Sequence, residues 1–177
     1  KGFEYVRRTW IFPHHIDVML ELGEELSEKY DADLEICQLG IILHDTGLEY
    51  GRTEASPKGH EERSLEYAEE ILKRNEYASD QISRIQDCIR ATEPDYEPKS
   101  VEEKVVRTCD AMSQFLTVHF WAKAAFSGDW DWYVGWMKKK VKKNFEKICF
   151  DEERSRIEPI QKYMLDAIER YKKNRKS

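Results

Sequence analysis

The sequence predicts an all-α protein built as a bundle of about six or seven helices. Charged residues make up 36 % and hydrophobic residues 40 % of the chain, a balance typical of amphipathic helices. Apolar residues recur at helical spacing in most long segments, and no segment alternates as a strand does. The low numbers of glycines (8) and prolines (5) also favour helices. Since 177 residues is the length of one domain and no linker interrupts the helical segments, we expect one domain over residues 1–177.

Proline, glycine and capping residues mark the ends of the first predicted helices. Pro13 suits the first turn of a helix, and an apolar stripe continues from it to about Tyr30. A second helix is predicted from about Asp33 and should end at Thr46 and Gly47. These two helices begin the motif-bearing core, which we place at about residues 13–120.

Similar signals delimit the rest of the chain. The segment GRTEASPKG, residues 51–59, predicts a loop, after which helices cover about 57–75 and 79–92. Ser100 and Glu103 form a capping-box pattern that begins a long helix carrying Asp110. A Trp-rich helix and a final amphipathic helix follow, so C-terminal helices are expected over about 130–174.

Charge and cysteine usage exclude several classes of protein. With 29 basic and 35 acidic residues, the net charge of −6 disfavours nucleic acid as a partner. The four cysteines form no CxxC pair, which predicts reduced thiols in an intracellular protein. No apolar run approaches the ~20 residues of a membrane span, and no signal-peptide core opens the sequence. We therefore expect a cytoplasmic protein that does not enter a membrane.

The adjacent pair His44 and Asp45 is the first candidate for chemistry. It follows the apolar run LGIIL, so two side chains that can bind a metal lie where a buried helix ends. Taken alone, the pair fits a helix C-terminus with a hydrogen-bonded histidine equally well. The other candidates are needed to choose between these interpretations.

His15 and Asp110 are two further polar residues on apolar helix faces. His15 continues into the stripe of Val18 and Leu22, so its imidazole should point into the core. Asp110 lies in a helix whose neighbouring positions are apolar. A buried carboxylate without a partner is costly, and a bound cation removes that cost. Each residue alone also has a purely structural explanation.

Together these residues form the pattern H…HD…D, and the chain resembles the HD-domain metal-dependent phosphohydrolase superfamily over roughly residues 13–120. The resemblance rests on the segments LGIILHDTG, GHEERSLEYAEEIL and EEKVVRTCDAM. It implies a helical bundle in which His15, His44, Asp45 and Asp110 hold one divalent metal ion. Such mixed nitrogen and oxygen ligands suit Mn, Fe, Co, Ni, Zn or Mg without selecting one.

The resemblance also implies a role for His60, which should lie beside the metal and contact phosphate. Ser64 is four residues later on the same helix face and is predicted to line the same region. A binuclear site of this kind usually adds a histidine near the end of the following helix, and the stretch 88–94 contains none. One metal ion is therefore expected.

The general base and the substrate-binding cations are less defined. The glutamate that some HD nucleotidases carry three residues after the aspartate is replaced by Leu48, which leaves Glu49, Glu61 and Glu62 as alternatives. Phosphate needs cations nearby, and three residues offer a positive charge, with ordinary surface charge as the alternative for each. These are Arg52, Lys58 and Arg63.

The segment 121–143 combines aromatic residues with a run of lysines. This composition can form a nucleic-acid surface, but a core stripe at helical spacing is the stronger interpretation and leaves the lysines on solvated faces. Some tryptophans would then line a pocket or a contact between copies in a homo-oligomer. His119 is predicted on the side of the helix opposite Asp110.

We interpret the chain as a metal-dependent phosphohydrolase that acts on a small phosphate ester or nucleotide through a metal-activated water. Two alternatives stay open. One is an HD-type iron oxygenase, which would need further histidine ligands. The other is a non-catalytic metal-binding HD module that senses a ligand or partner.

Overall fold

A computed structural model describes residues 15–47 and 60–174, and every regular element in these ranges is an α-helix. The predicted all-α fold is therefore confirmed. No helix in the described ranges is long and apolar enough to cross a membrane. We number the helices in chain order as α1 (Asp17–Tyr30), α2 (Leu34–Leu43), α3 (His60–Arg74), α4 (Ser79–Ala91), α5 (Val101–Leu116), α6 (His119–Ser127), α7 (Trp130–Lys147) and α8 (Asp151–Asn174).

The capping residues seen in the sequence fix helix starts in the structure. The Asp33 side chain accepts a hydrogen bond from the Ile36 amide at 3.3 Å and begins α2. At α5 the Glu103 amide donates to Ser100 Oγ, and the Ser100 amide donates to Glu103 Oε1, both at 3.2 Å. These bonds satisfy amide groups that a helix start leaves without intrahelical partners.

Helix α5 is the central element of the bundle. It packs against α1, α2, α4, α6, α7 and α8, and most of its residues are buried. Val105, Cys109 and Met112 are each fully buried and belong to the main hydrophobic cluster. A polar residue in the middle of α5 is therefore surrounded by other helices and must find its partners among them.

A glycine allows α2 to approach α4 closely. A Cβ added at Gly40 would lie 2.8 Å from Cβ of Cys88 and 3.4 Å from a methyl of Val106. Because a real Cβ essentially never comes within 3.0 Å of another atom, only glycine fits between these helices. This close packing holds the end of α2 against the centre of the bundle.

The four cysteines are free thiols, in agreement with the sequence. Cys37, Cys88 and Cys109 are fully buried, and Cys149 is half-buried. Burial raises the pKa of the Cys37 thiol to about 11. These cysteines act as small apolar residues of the core and form no metal-binding set.

The position predicted for His119 assumes that the helix carrying Asp110 continues to residue 119, but this helix ends earlier. Thr117 adopts extended backbone angles, so α5 stops at Leu116 and a separate helix, α6, begins at His119. The Tyr133 hydroxyl donates to the carbonyl of Phe120 at 2.9 Å and fastens α6 to α7. The direction of His119 is therefore set by α6, and α5 does not determine it.

Candidate metal centre

His15, His44 and Asp110 come from three separate elements and converge in the core. His15 lies in the helical turn before α1, His44 caps the end of α2, and Asp110 lies in the middle of α5. One ligand atom from each residue lies within 4.8 Å of those of the other two. Their relative exposures are 8 %, 4 % and 6 %, so all three are buried. The prediction that His15 points into the core is confirmed.

The tautomer of His44 is set by the end of its own helix. Its Nδ1 lies 2.7 Å from the carbonyl oxygen of Ile41, which only accepts hydrogen bonds. Nδ1 therefore carries the proton and donates to this carbonyl. The Nε2 lone pair of the neutral ring is then available to a cation, an arrangement typical of metal-binding histidines.

Ser113 fixes the tautomer of His15 in a similar way. The Ser113 hydroxyl donates to the backbone carbonyl of Asp110 at 3.0 Å, so its oxygen accepts from Nδ1 of His15 at 2.9 Å. The opposite nitrogen, Nε2, lies 3.6 Å from Oδ1 of Asp110. Burial lowers the pKa of His15 although the Asp110 charge opposes it, which favours a neutral ring with its Nε2 lone pair free.

The carboxylate of Asp110 is held from two sides. Gln114 Nε2 donates to Oδ1 at 3.1 Å, and Lys147 Nζ donates to Oδ2 at 3.2 Å. Asn144 in turn donates to Oε1 of Gln114 at 2.6 Å, which orients the amide. Burial is the largest single effect and would raise the pKa of Asp110, but the charge of Lys147 together with those of the neighbouring histidines and Lys140 outweighs it and keeps that pKa well below its ordinary range. Asp110 is therefore ionised.

Lys147 changes what the buried Asp110 implies. From the sequence, a bound cation was the explanation for a carboxylate in an apolar helix, whereas the fold supplies an internal cation from α7. Burial of Asp110 by itself thus does not require a metal ion. The stronger reason is the convergence of two imidazole rings with an ionised carboxylate, a donor set that fits a divalent ion.

The prediction that the lysines of α7 all lie on solvated faces is wrong for Lys140, which is half-buried. Lys140, Asn144 and Lys147 follow helical spacing on one face of α7, and this face packs on α5. Neither Lys140 nor Lys147 belongs to a motif that predicts a site residue from the sequence. The detectable signal was polar residues at i, i+4 and i+7 beside the apolar stripe of the same helix.

Asp45 lies next to the three convergent residues without joining their set of mutually close ligand atoms. Its Oδ2 lies 3.4 Å from Nε2 of His44, and its Oδ1 lies 3.8 Å from Nε2 of His60. The Asp45 side chain keeps 26 % of its surface exposed. Asp45 therefore connects the buried cluster to His60 at the start of α3.

The start of α3 is fastened to the end of α2 through Gly47. The Gly47 amide donates to Ser64 Oγ at 2.8 Å, and Arg63 Nε donates to the Gly47 carbonyl at 3.1 Å. A Cβ at Gly47 would lie 2.2 Å from the backbone oxygen of His60. Ser64 is fully buried in this contact, and substrate contacts of Ser64 and Arg63 stay predictions.

Several predicted site residues lie outside the described part of the chain. Glu49, Arg52 and Lys58 are among them, as is the side chain of Glu61. Glu62 lies within the described part and is exposed. The choice of general base and the cations of the loop therefore stay predictions.

His119 lies on the same side of the bundle as the cluster. Its ring centroid is 6.3 Å from that of His15, and the His15 ring is 5.6 Å from His44. The prediction that His119 points away from Asp110 assumed one continuous helix and is wrong, because α5 ends at Leu116. His119 is thus a neighbour of the candidate metal centre.

Comparison with known proteins agrees with this geometry. The family model for the HD domain matches residues 14–114, which is more than half of the chain and includes His15, His44, Asp45 and Asp110. No curated protein and no solved structure gave a significant match. The region matched and the convergent histidines and aspartate lead to one assignment: the chain belongs to the HD domain family.

Proposed function

We propose that the protein is a metal-dependent phosphohydrolase that acts on a small phosphate ester or nucleotide. The observation that carries the proposal is the approach of His15, His44 and Asp110 ligand atoms to within 4.8 Å in an HD domain. The HD domain family consists mostly of metal-dependent phosphohydrolases. The family membership supports metal-dependent hydrolysis, and the phosphate ester or nucleotide substrate is the further step of the proposal.

In this proposal His15, His44 and Asp110 hold one divalent ion, and Asp45 supplies a fourth ligand. The donor set suits Mn, Fe, Co, Ni, Zn or Mg. When bound, such an ion supplies Lewis acidity and lowers the pKa of a water that it binds. The hydrogen bonds of His44 to Ile41 and of His15 to Ser113 keep both Nε2 atoms directed to the ion.

Among the described residues, Asp45 and His60 extend from the buried cluster toward the surface, with 26 % and 16 % of their side chains exposed. Nε2 of His60 lies 3.8 Å from Oδ1 of Asp45, so a small movement would allow a hydrogen bond between them. In the proposed reaction His60 binds a phosphate oxygen, and Asp45 orients the imidazole. Proton removal from the attacking water falls to Glu49, Glu61 or Glu62. The proposed contacts to phosphate are Arg52 and Lys58 from the segment 51–59 and Arg63 from α3.

The test is a substrate screen with defined metal content. Protein stripped with a chelator is reloaded with each of the six divalent ions and incubated with phosphomonoesters, nucleotides and a phosphodiester. We expect phosphate or alcohol release with at least one ion, and no release by Asp45→Asn protein purified in parallel. The variant controls for contaminating phosphatases.

Two other outcomes would replace the proposal. A bound ion without turnover of any compound would favour a non-catalytic HD module. Oxygen consumption by the iron-loaded protein would favour an HD-type oxygenase. Metal content and oxygen uptake are therefore measured on the same samples.

A further inference from the structure

One face of α7 is directed at the candidate metal centre. Asn144 reaches Asp110 through Gln114, and Lys147 contacts Asp110 directly. Lys140 lies one turn before Asn144 on the same face. This face of α7 therefore borders the buried cluster that contains Asp110.

The two lysines of this face differ in their partners. Lys147 Nζ donates to the carbonyl of Thr92 at 2.6 Å and to Asp110. For the ammonium group of Lys140, by contrast, no other residue of the described part of the chain lies within hydrogen-bond or ion-pair distance. Its charge nevertheless interacts with Asp110 and Asp45, and it lowers the pKa of His15.

An unpaired cation in a half-buried position is costly to the fold. Burial lowers the pKa of Lys140, with the Lys147 charge acting in the same direction. Buried charges in stable proteins are normally paired, so a half-buried lysine with no partner among the described residues, on the helix face that contacts Asp110, indicates that an anion completes the site. The family match does not include Lys140, because it ends at residue 114.

We propose that Lys140 binds the anionic group of the substrate and forms, with the metal centre, a phosphate subsite on α7. This inference rests on the proposed function and names the residue that recognises the phosphate. A phosphate oxygen would give the ammonium group a partner that residues 15–47 and 60–174 do not supply. Lys147 is not assigned this role, because its donors already hold Asp110 and Thr92.

Binding of inorganic phosphate tests the subsite without relying on turnover. Calorimetric titrations compare the metal-loaded parent protein with Lys140→Met and with the control Lys139→Met, since Lys139 is the exposed neighbour. We expect the Kd for phosphate to rise at least ~10-fold in Lys140→Met, the scale of one hydrogen bond to a charged group. Lys139→Met should bind as the parent does, and metal content should be equal in all three.

Thermal unfolding of the same proteins separates binding from folding. Removal of an unpaired cation should leave the Tm of Lys140→Met equal to or above that of the parent. Unchanged phosphate affinity in Lys140→Met, or no phosphate binding by the parent protein, would overturn the subsite. A lower Tm together with weaker binding would assign Lys140 a structural role and also overturn it. The substrate screen decides the proposed function independently of these titrations.

Discussion

Nζ of Lys147 lies 3.2 Å from Oδ2 of Asp110, and the two side chains are only 11 % and 8 % exposed. A lysine from α7 thus shares a buried carboxylate with the candidate metal site. Since both charges are removed from water, each depends on the other when no metal ion is bound. The contribution of Lys147 to the stability of the protein should therefore depend on whether a metal ion is bound.

Lys147→Met should destabilise the metal-free protein by about 3 kcal/mol, because it leaves Asp110 buried without a cation. With saturating metal the loss should be smaller, since the bound ion then faces the carboxylate. Urea unfolding with and without metal measures the difference. Lys143→Met, at an exposed position of the same helix, is the control. Equal losses in both conditions would show that Lys147 and the ion act on Asp110 independently.

The purified protein should bind about one divalent ion per chain, because the described residues contain one cluster of convergent ligands. Elemental analysis of protein dialysed against metal-free buffer gives the ratio. Two tightly held ions per chain would indicate a second site, for which His60 is a candidate ligand because its Nε2 lies 3.8 Å from Oδ1 of Asp45.

Asp110→Ala and Asp45→Ala should both abolish tight metal binding, but they should differ in stability. Asp110→Ala leaves Lys147 buried without its carboxylate, so the metal-free variant should unfold at lower urea than its parent. Asp45 is partly exposed, so Asp45→Ala should lower the stability of the metal-free protein only slightly. Metal content and urea midpoints of both variants are the measurements. Full metal occupancy in either variant would remove that aspartate from the site.

His15→Ala should lower metal affinity at least ~10-fold, a scale reached even by residues that only support a ligand. His15 is buried, and its Nε2 approaches Asp110. His14 lies outside the described residues. In the sequence it shares helical spacing with Asp17 and Glu21, which predicts an acidic, solvated face, so we expect His14→Ala to change the affinity little. Metal titration compares the two variants. A larger loss in His14→Ala would mean that the ligand assignment at this helix is wrong.

Gly47→Ala should disturb the start of α3 more than it disturbs the metal cluster. Its Cβ would lie 2.2 Å from the His60 oxygen and 2.5 Å from the Ser64 nitrogen, so backbone must move. We expect phosphate release to fall by more than ~10-fold while bound metal is kept, because small displacements of catalytic groups are costly. Gly135→Ala, whose Cβ meets nothing within 4 Å, is the matched control. Equal rates in both variants would separate His60 from the reaction.

The sequence by itself determined the features that depend on local periodicity and on helix ends. The core-facing position of His15 and the capping box of Ser100 and Glu103 follow from spacing along one helix. The HD pair after an apolar run also marked the place where α2 delivers His44 to the core.

Only the tertiary structure decided which helix faces meet, because those contacts join residues far apart in the chain and depend on packing angles that periodicity does not encode. Lys147 reaches Asp110 across such an interface, and Lys140 lies on the same face of α7. The break between α5 and α6, which turns His119 toward His15, depends in the same way on the packing of α6 against α7. Helical spacing thus shows that a face is polar, whereas the packed bundle determines which charge that face meets.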